Sequence, residues 1–184
     1  EGSANRDQLI KKLLPWTGIL AELSIVISNK RAEYINLLSS KISKTYQFIS
    51  NNKIDTNNEI NIEKVEIFFE SKIVGKSLHE VIELINLSVD RDIILGSSCI
   101  GAHKDKIILK GEVANLNTKT VQEIESGFFS QGQIRTLALS LIYSALVLVK
   151  EQTGETPILL LDDLISELDE ERKDQLIDLI NQTE

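Results

Sequence analysis

Methionine is absent from the 184-residue sequence, the initiator included. A chain without its natural start is expected to be a piece of a longer protein. Cysteine occurs once, at Cys99, which excludes an internal disulfide and a cysteine-ligated zinc site. Set in the apolar stretch SSCIG, Cys99 is expected to be a small buried hydrophobe. No run of about 18 or more apolar residues offers to span a bilayer, and no basic-then-apolar segment of secretory type opens the chain. These two absences set the expectation at a cytoplasmic protein with no membrane partner. The phosphate loop G-x-x-x-x-G-K-[ST] is missing throughout, and with it the amides and lysine that usually give the main grip on a nucleoside triphosphate.

What is present suits a globular fold: 42% hydrophobic and 26% charged residues can bury one substantial core or two small ones. The net charge of −8 argues against a uniformly basic nucleic-acid binder. Its distribution is uneven. Residues 1–60 carry eight Lys/Arg against six Asp/Glu, 61–150 ten against eleven, and 151–184 two against eleven. The carboxyl-terminal acid reads as a solvated helix face, so DNA contact is expected from the amino-terminal Lys11, Lys12, Lys30, Arg31, Lys41 and Lys44.

The hydrophobic period changes near residue 60. From Asp7 to Ser50 apolar residues recur at three- and four-residue steps, as amphipathic helices require. Pro15, with Trp16 and Gly18 after it, is expected to break this section into a short helix and a longer one. NNKIDTNNEINIE (51–63) reads as a connector. VEIFFE (65–70) reads as a strand and 76–96 as a helix capped by Ser77, with Glu80 as its box partner. His79, near that helix start, is expected at the surface. DKIILKGEVANL (105–116) suggests a hairpin around Lys110-Gly111. Residues 133–150 form a helix apolar enough to be buried. The segment PILLL (157–161) reads as a short strand covered on both faces, as in a mostly parallel sheet. A final amphipathic helix follows, apolar at Leu168, Leu176, Ile177, Leu179 and Ile180.

Two stretches carry chemistry. In PILLLDDLIS (157–166) an apolar strand runs into Asp162 and Asp163, and two carboxylates at the end of a buried segment need a cation or donors to meet them. One acid can hold the magnesium of a nucleotide while the next orients a water. A structural acidic turn explains the pattern equally well. In FFSQGQIRT (128–136), Ser130, Gln131, Gly132 and Gln133 set a hydroxyl, a glycine and amide N–H groups at a helix start, which can cradle an anion. Taken alone, Ser130 fits an ordinary cap better. Their order is informative: a Ser-x-Gly-Gln helix start, about 30 residues, paired acids, then SELD, as in the signature motif, Walker B and D-loop of an ABC-type ATPase.

Together SQGQIRTLAL, PILLLDDLISELDEERKDQL and GAHKDK (101–106) resemble the RecF family of DNA replication and repair proteins. The resemblance covers most of the chain, more loosely before residue 60. It implies an α/β fold: part of an ABC-ATPase head, a mostly parallel sheet with flanking helices over 61–184, plus an α-helical lobe over 1–60. It implies that Ser130 and Gly132, completed by Gln131 and Gln133, touch the γ-phosphate of ATP held by an opposite subunit. Asp162 then serves Mg2+, Asp163 positions the hydrolytic water, and Asp169 is the D-loop acid. Arg135 is expected to support the signature loop. The family's whole protein is implied to form an ATP-dependent homodimer on duplex DNA near single-strand gaps, with RecR and RecO as partners. Ala102, Lys104, Lys106 and Ile134 depart from the family's GPHRDD and SQGQQRT, and the role of Gly101–Asp105 does not follow from the residues. Without a phosphate loop, this chain alone is expected neither to bind ATP tightly nor to hydrolyse it. A non-catalytic SMC-like structural or interaction module stays open as the alternative.

Overall fold

One uninterrupted helix opens the chain. In the computed structural model, which describes residues 2–50, 61–115, 120–161 and 170–181, α1 spans Gly2–Ser50. The break expected at Pro15 does not occur. A mid-helix proline forfeits one backbone bond and costs about 3 kcal/mol. The residues after it are anchored in tertiary packing: Ala21 is fully buried and Leu20 packs with it on the core of Ile73, Val81, Ile85 and Ile100.

The elements that follow are β1 (Asn61–Glu70), α2 (Leu78–Leu95), β2 (Lys106–Asn115), β3 (Thr120–Glu125), α3 (Gln131–Thr153) and α4 (Glu170–Asn181). Short 3-10 turns at Ala102–Lys104 and Ser126–Phe128 precede β2 and α3. The predicted strand at 65–70 is β1, and the helix predicted over 76–96 is α2. Ser77 caps α2 as expected, accepting from the Glu80 N–H while the Glu80 carboxylate accepts from the Ser77 N–H at 2.8 Å. Left-handed Gly96 closes that helix at φ 66°, a conformation that only glycine enters cheaply. Of the connector predicted at 51–63, residues 51–60 lie outside the described residues, as does Leu168, while 61–63 already belong to β1.

The sheet corrects two expectations. Its strand order is β1-β2-β3, and β2 runs antiparallel to β3 with Gly111 opposite Ile124 and Asn115 opposite Thr120. Among the described residues there is thus a small sheet of three strands with an antiparallel pair, where a mostly parallel sheet was expected. Nor does the chain turn at Lys110-Gly111, since β2 passes straight through both. Glycine is required there for a different reason. A Cβ on Gly111 would stand 2.8 Å from the Phe129 ring and 3.0 Å from Ile62, so the vacant space admits a packed aromatic.

PILLL also departs from expectation. Residues 157–161 join no ladder among the described residues, and Ile158 and Leu160 are 89% and 86% exposed. Burial still alternates, because Leu161 packs on the core while its neighbour Leu160 is bare. The segment therefore has the two-faced pattern of a strand with only one face covered by this chain.

By contacts the chain divides into two units, residues 1–34 with 69–107 and residues 35–68 with 108–184. The change of period near residue 60 falls inside the second. The first unit is built on Ala21, Ile73, Val81, Ile85 and Ile100 and holds ten basic and ten acidic residues. The second holds ten against eighteen, so the whole acidic excess resides there. Its core joins Ile49, Leu139, Tyr143, Leu176 and Leu179. Burying such side chains contributes about 1.5–3 kcal/mol each. The Tyr143 hydroxyl adds a bond to the Leu179 carbonyl at 2.7 Å, tying α3 to α4. Leu176 and Leu179 are buried as predicted, whereas Ile177 is exposed.

α3 is 23 residues long and apolar enough by composition to cross a bilayer, against the expectation that no such run exists. Here Leu137, Leu139, Tyr143 and Leu148 bury it in the fold. Its buried hydroxyls are satisfied along one face, Ser140 donating to the Thr136 carbonyl and Ser144 to Thr45 Oγ1.

Candidate functional site

The start of α3 is shaped by the residues just before it. Buried Phe129 anchors the preceding turn, filling the space over Gly111, and the chain then enters the helix at exposed Ser130. Ser130 has extended backbone, φ −64° and ψ 160°. Its Oγ accepts from the Gln133 N–H at 3.3 Å, and the Gln133 side-chain oxygen accepts from the Ser130 N–H at 2.8 Å. The capping reading of Ser130 is thus realised as a reciprocal box. That does not close the site to a ligand. First-turn amides have no acceptor inside a helix, and the helix dipole leaves partial positive charge there. Gln131 is exposed and Gly132 half-buried, so the turn faces outward where an anion can meet it.

Gly132 is crowded from one side. Arg172 Nη1 of α4 lies 3.3 Å from the point where a Cβ on Gly132 would stand. Arg172 also acts on Tyr46: burial pushes that phenol up to about 12, against the pull of the Arg172 charge. Tyr46 is therefore neutral at physiological pH. Thr136 Oγ1 donates to the Gly132 carbonyl at 3.0 Å, fixing the peptide on its inner side.

Asp162, Asp163 and Asp169 lie outside the described residues. The segment that carries them is bounded by Leu161, packed on the core of α3 and α4, and by Glu170, the first residue of α4. Among the described residues, no group of three or more His, Cys, Asp or Glu is placed to hold a metal.

Reading the residues one by one gave no role for Gly101–Asp105, and the structure supplies one. The 3-10 turn is clamped by three residues of α1 spaced four and three apart. Ser24 Oγ accepts from the Ala102 N–H at 3.2 Å, Ser28 Oγ donates to Asp105 Oδ2 at 2.7 Å, and Arg31 Nη1 donates to the Ala102 carbonyl at 2.6 Å. Arg31 also pairs with Asp105 at 3.3 Å, where the carboxylate is 3% exposed. Gly101 has φ 148°, and a Cβ there would meet the His103 ring at 2.7 Å. His103 Nε2 bonds the Ser98 carbonyl oxygen at 2.9 Å. The only local signal was the Ser24, Ser28, Arg31 spacing, which puts three polar groups on one helix face.

Several basic residues expected to contact DNA are engaged within the chain. Arg31 holds the turn, Lys30 pairs with Glu33 at 2.8 Å and Lys41 with Glu151 at 2.7 Å. His79 is at the surface as expected, 3.2 Å from Glu83. Cys99 is half-buried rather than fully buried, and its N–H donates to Asp92 Oδ1 at 2.8 Å. The hydrogen bond from its thiol to Asp92, together with burial, holds that thiol above its ordinary value.

By fold this is a mixed helix-and-sheet chain presenting an exposed, serine-capped helix start suited to an anion. No family model matches it. It is 32% identical over 178 residues to the DNA replication and repair protein RecF of Natranaerobius thermophilus, covering 95% of this chain and 44% of that protein. It is 33% identical to the RecF of Halalkalibacterium halodurans, covering 97% and 44%. A solved structure of the recombination mediator protein RecF with ATP, in the RecFOR pathway, superposes with a TM-score of 0.68 at 30% identity. That match covers 96% of this chain and 47% of the other. The chain is similar to the carboxyl-terminal portion of RecF proteins and spans less than half the length of these relatives.

Proposed function

We propose that this chain is the signature-bearing part of a RecF-like ATPase head that acts in DNA repair. Residues 1–60 supply its helical lobe and 61–184 the carboxyl-terminal part of its head. The observation that carries the reading is the start of α3: Ser130 and Gln133 cap it with neutral groups, and within that cap Gln131 is exposed and Gly132 half-buried. Such a turn suits the γ-phosphate of ATP held by a second copy, so nucleotide bridges two heads. ATP is bound by the solved RecF that this chain resembles. Asp162 then serves Mg2+, Asp163 orients the attacking water, and Asp169 senses the opposite head. Duplex DNA is met by the amino-terminal basic residues, Lys11, Lys12 and Lys44 among them, a reading supported by the concentration of acid at the other end of the sequence, with RecR and RecO as protein partners in the cytoplasm. Hydrolysis serves to release the dimer.

Light scattering on the full-length protein with ATP, with ADP and without nucleotide tests this. ATP should produce a dimer that ADP does not, and Ser130→Arg should abolish it. A dimer indifferent to nucleotide would overturn the reading. This chain alone should show no ATP turnover above its Asp163→Ala variant.

A further inference from the structure

The Gly101–Lys106 segment takes no part in the nucleotide reading. Its run His103, Lys104, Asp105, Lys106 mixes bases with an acid, and the fold sorts them. Asp105 is drawn inward: its side chain is 3% exposed, accepts from Ser28 Oγ at 2.7 Å and pairs with Arg31 at 3.3 Å. Its backbone is extended, φ −61° and ψ 147°, so the side chains around it leave on the opposite face. Lys104 and Lys106 are accordingly exposed, and among the described residues neither lysine side chain is in an ion pair. His103 braces the turn, with Nε2 on the Ser98 carbonyl and its ring against Gly101. All of these groups belong to the first unit. Where the RecF motif GPHRDD has one arginine and two aspartates, GAHKDK has two lysines and one aspartate, and that aspartate is the buried one.

We propose that this turn is a docking point for the phosphodiester backbone of duplex DNA, with Lys104 and Lys106 each meeting a phosphate. The inference rests on the DNA reading above and deepens it, adding a second segment of the chain to Lys11 and Lys12. A lysine ammonium is a compact point charge that suits a phosphate and reads no base, so the contact positions the duplex whatever its sequence. Helix α1 makes the turn fit for this in two ways. Ser28 and Arg31 engage the acid that would otherwise stand between the lysines and repel the backbone. Ser24 and Arg31 pin the turn at Ala102, so it loses little freedom on binding.

Fluorescence anisotropy of a short labelled duplex, titrated with the full-length protein and ATP over a range of salt concentrations, tests this. Lys104→Gln with Lys106→Gln should make the slope of log affinity against log salt shallower by about two and weaken binding about tenfold. Lys64→Gln with Lys173→Gln removes the same charge from the second unit, where both lysines pair with glutamates, and should keep the wild-type slope. Lys106→Asp, which restores the RecF pattern, should weaken binding more than Lys106→Gln. Ser28→Ala alters no charge: affinity should drop several fold with the slope unchanged, because the same phosphates are met by a turn less firmly held. Equal losses in the two double variants would reduce the effect to net charge and overturn the docking point, as would a wild-type slope in Lys104→Gln with Lys106→Gln. Wild-type affinity in Ser28→Ala would overturn the part assigned to α1. A rise in the ATP needed for dimerisation, with duplex binding intact, would overturn the proposal in favour of nucleotide phosphate. Failure of the wild-type protein to bind duplex would sink the DNA reading and this placement together, whereas failure of the placement alone leaves wild-type binding standing.

Discussion

The starts of α2 and α3 share one hydrogen-bond pattern and differ in charge. Each has a serine at the cap whose hydroxyl accepts from the amide three residues on, and each returns a side-chain oxygen to the serine amide at 2.8 Å. In α2 the returning group is the Glu80 carboxylate, which also accepts from the Ser77 hydroxyl at 2.7 Å. Those bonds from Ser77 hold the Glu80 carboxyl below its ordinary value, so the start of α2 carries a fixed negative charge that offsets the helix dipole. In α3 the returning group is the neutral amide of Gln133. The same box secures the helix and leaves the dipole's positive end uncancelled. The charge at the first start opposes an anion and the neutral box at the second does not, although both are capped by the same pattern of bonds. A capping box is therefore no argument against a ligand site; the charge of its fourth residue is what decides.

That contrast can be broken. Gln133→Glu converts the α3 start into a copy of the α2 start: in the full-length protein it should keep the cap and the melting temperature while raising the ATP needed for dimerisation at least about tenfold, roughly 1.4 kcal/mol at the site. Unchanged ATP dependence would show that the charge of the box is irrelevant. A smaller effect comes from removing the caps themselves. Ser77→Ala and Ser130→Ala should each cost about 1 kcal/mol in denaturant unfolding, while only the second alters the response to nucleotide. Smallest is the effect of acid. Because the Glu80 carboxyl sits below its ordinary 4.5 when folded, its contribution is present above that pH and is lost as pH falls through the folded value. Amide protection at Glu80 should decline over that window and protection at Gln133 should not. Parallel loss at both would mean the two boxes are not electrically distinct.

Both serine caps, and the Glu80 box of the first, were legible in the sequence because a cap is settled within four residues; the returning bond from Gln133 was not read there. Features that failed to show there depend on residues far away. Nothing near Pro15 announces that Leu20 and Ala21 just after it will pack against Ile73, Val81 and Ile85 far along the chain. Lys110-Gly111 reads as a turn until Phe129, eighteen positions on, takes the space over the glycine. The role of the GAHKD segment depends on Arg31 reaching a carboxylate 74 residues away. The serine-led helix start was visible as a candidate, but its crowding by Arg172 required the tertiary fold. PILLL was read from its unbroken apolar run as covered on both faces, whereas only one face is covered here, because what lies over a strand is a property of partners that the local residues do not name.

Ile158 and Leu160 carry a practical consequence. A bare apolar ribbon with an unladdered backbone offers a ready template for a strand of another molecule. At high concentration this polypeptide should cling to copies of itself along 157–161. Its solubility limit is then set by these five residues more than by its net charge of −8, most of whose repulsion is built into the far side of the sequence beyond them.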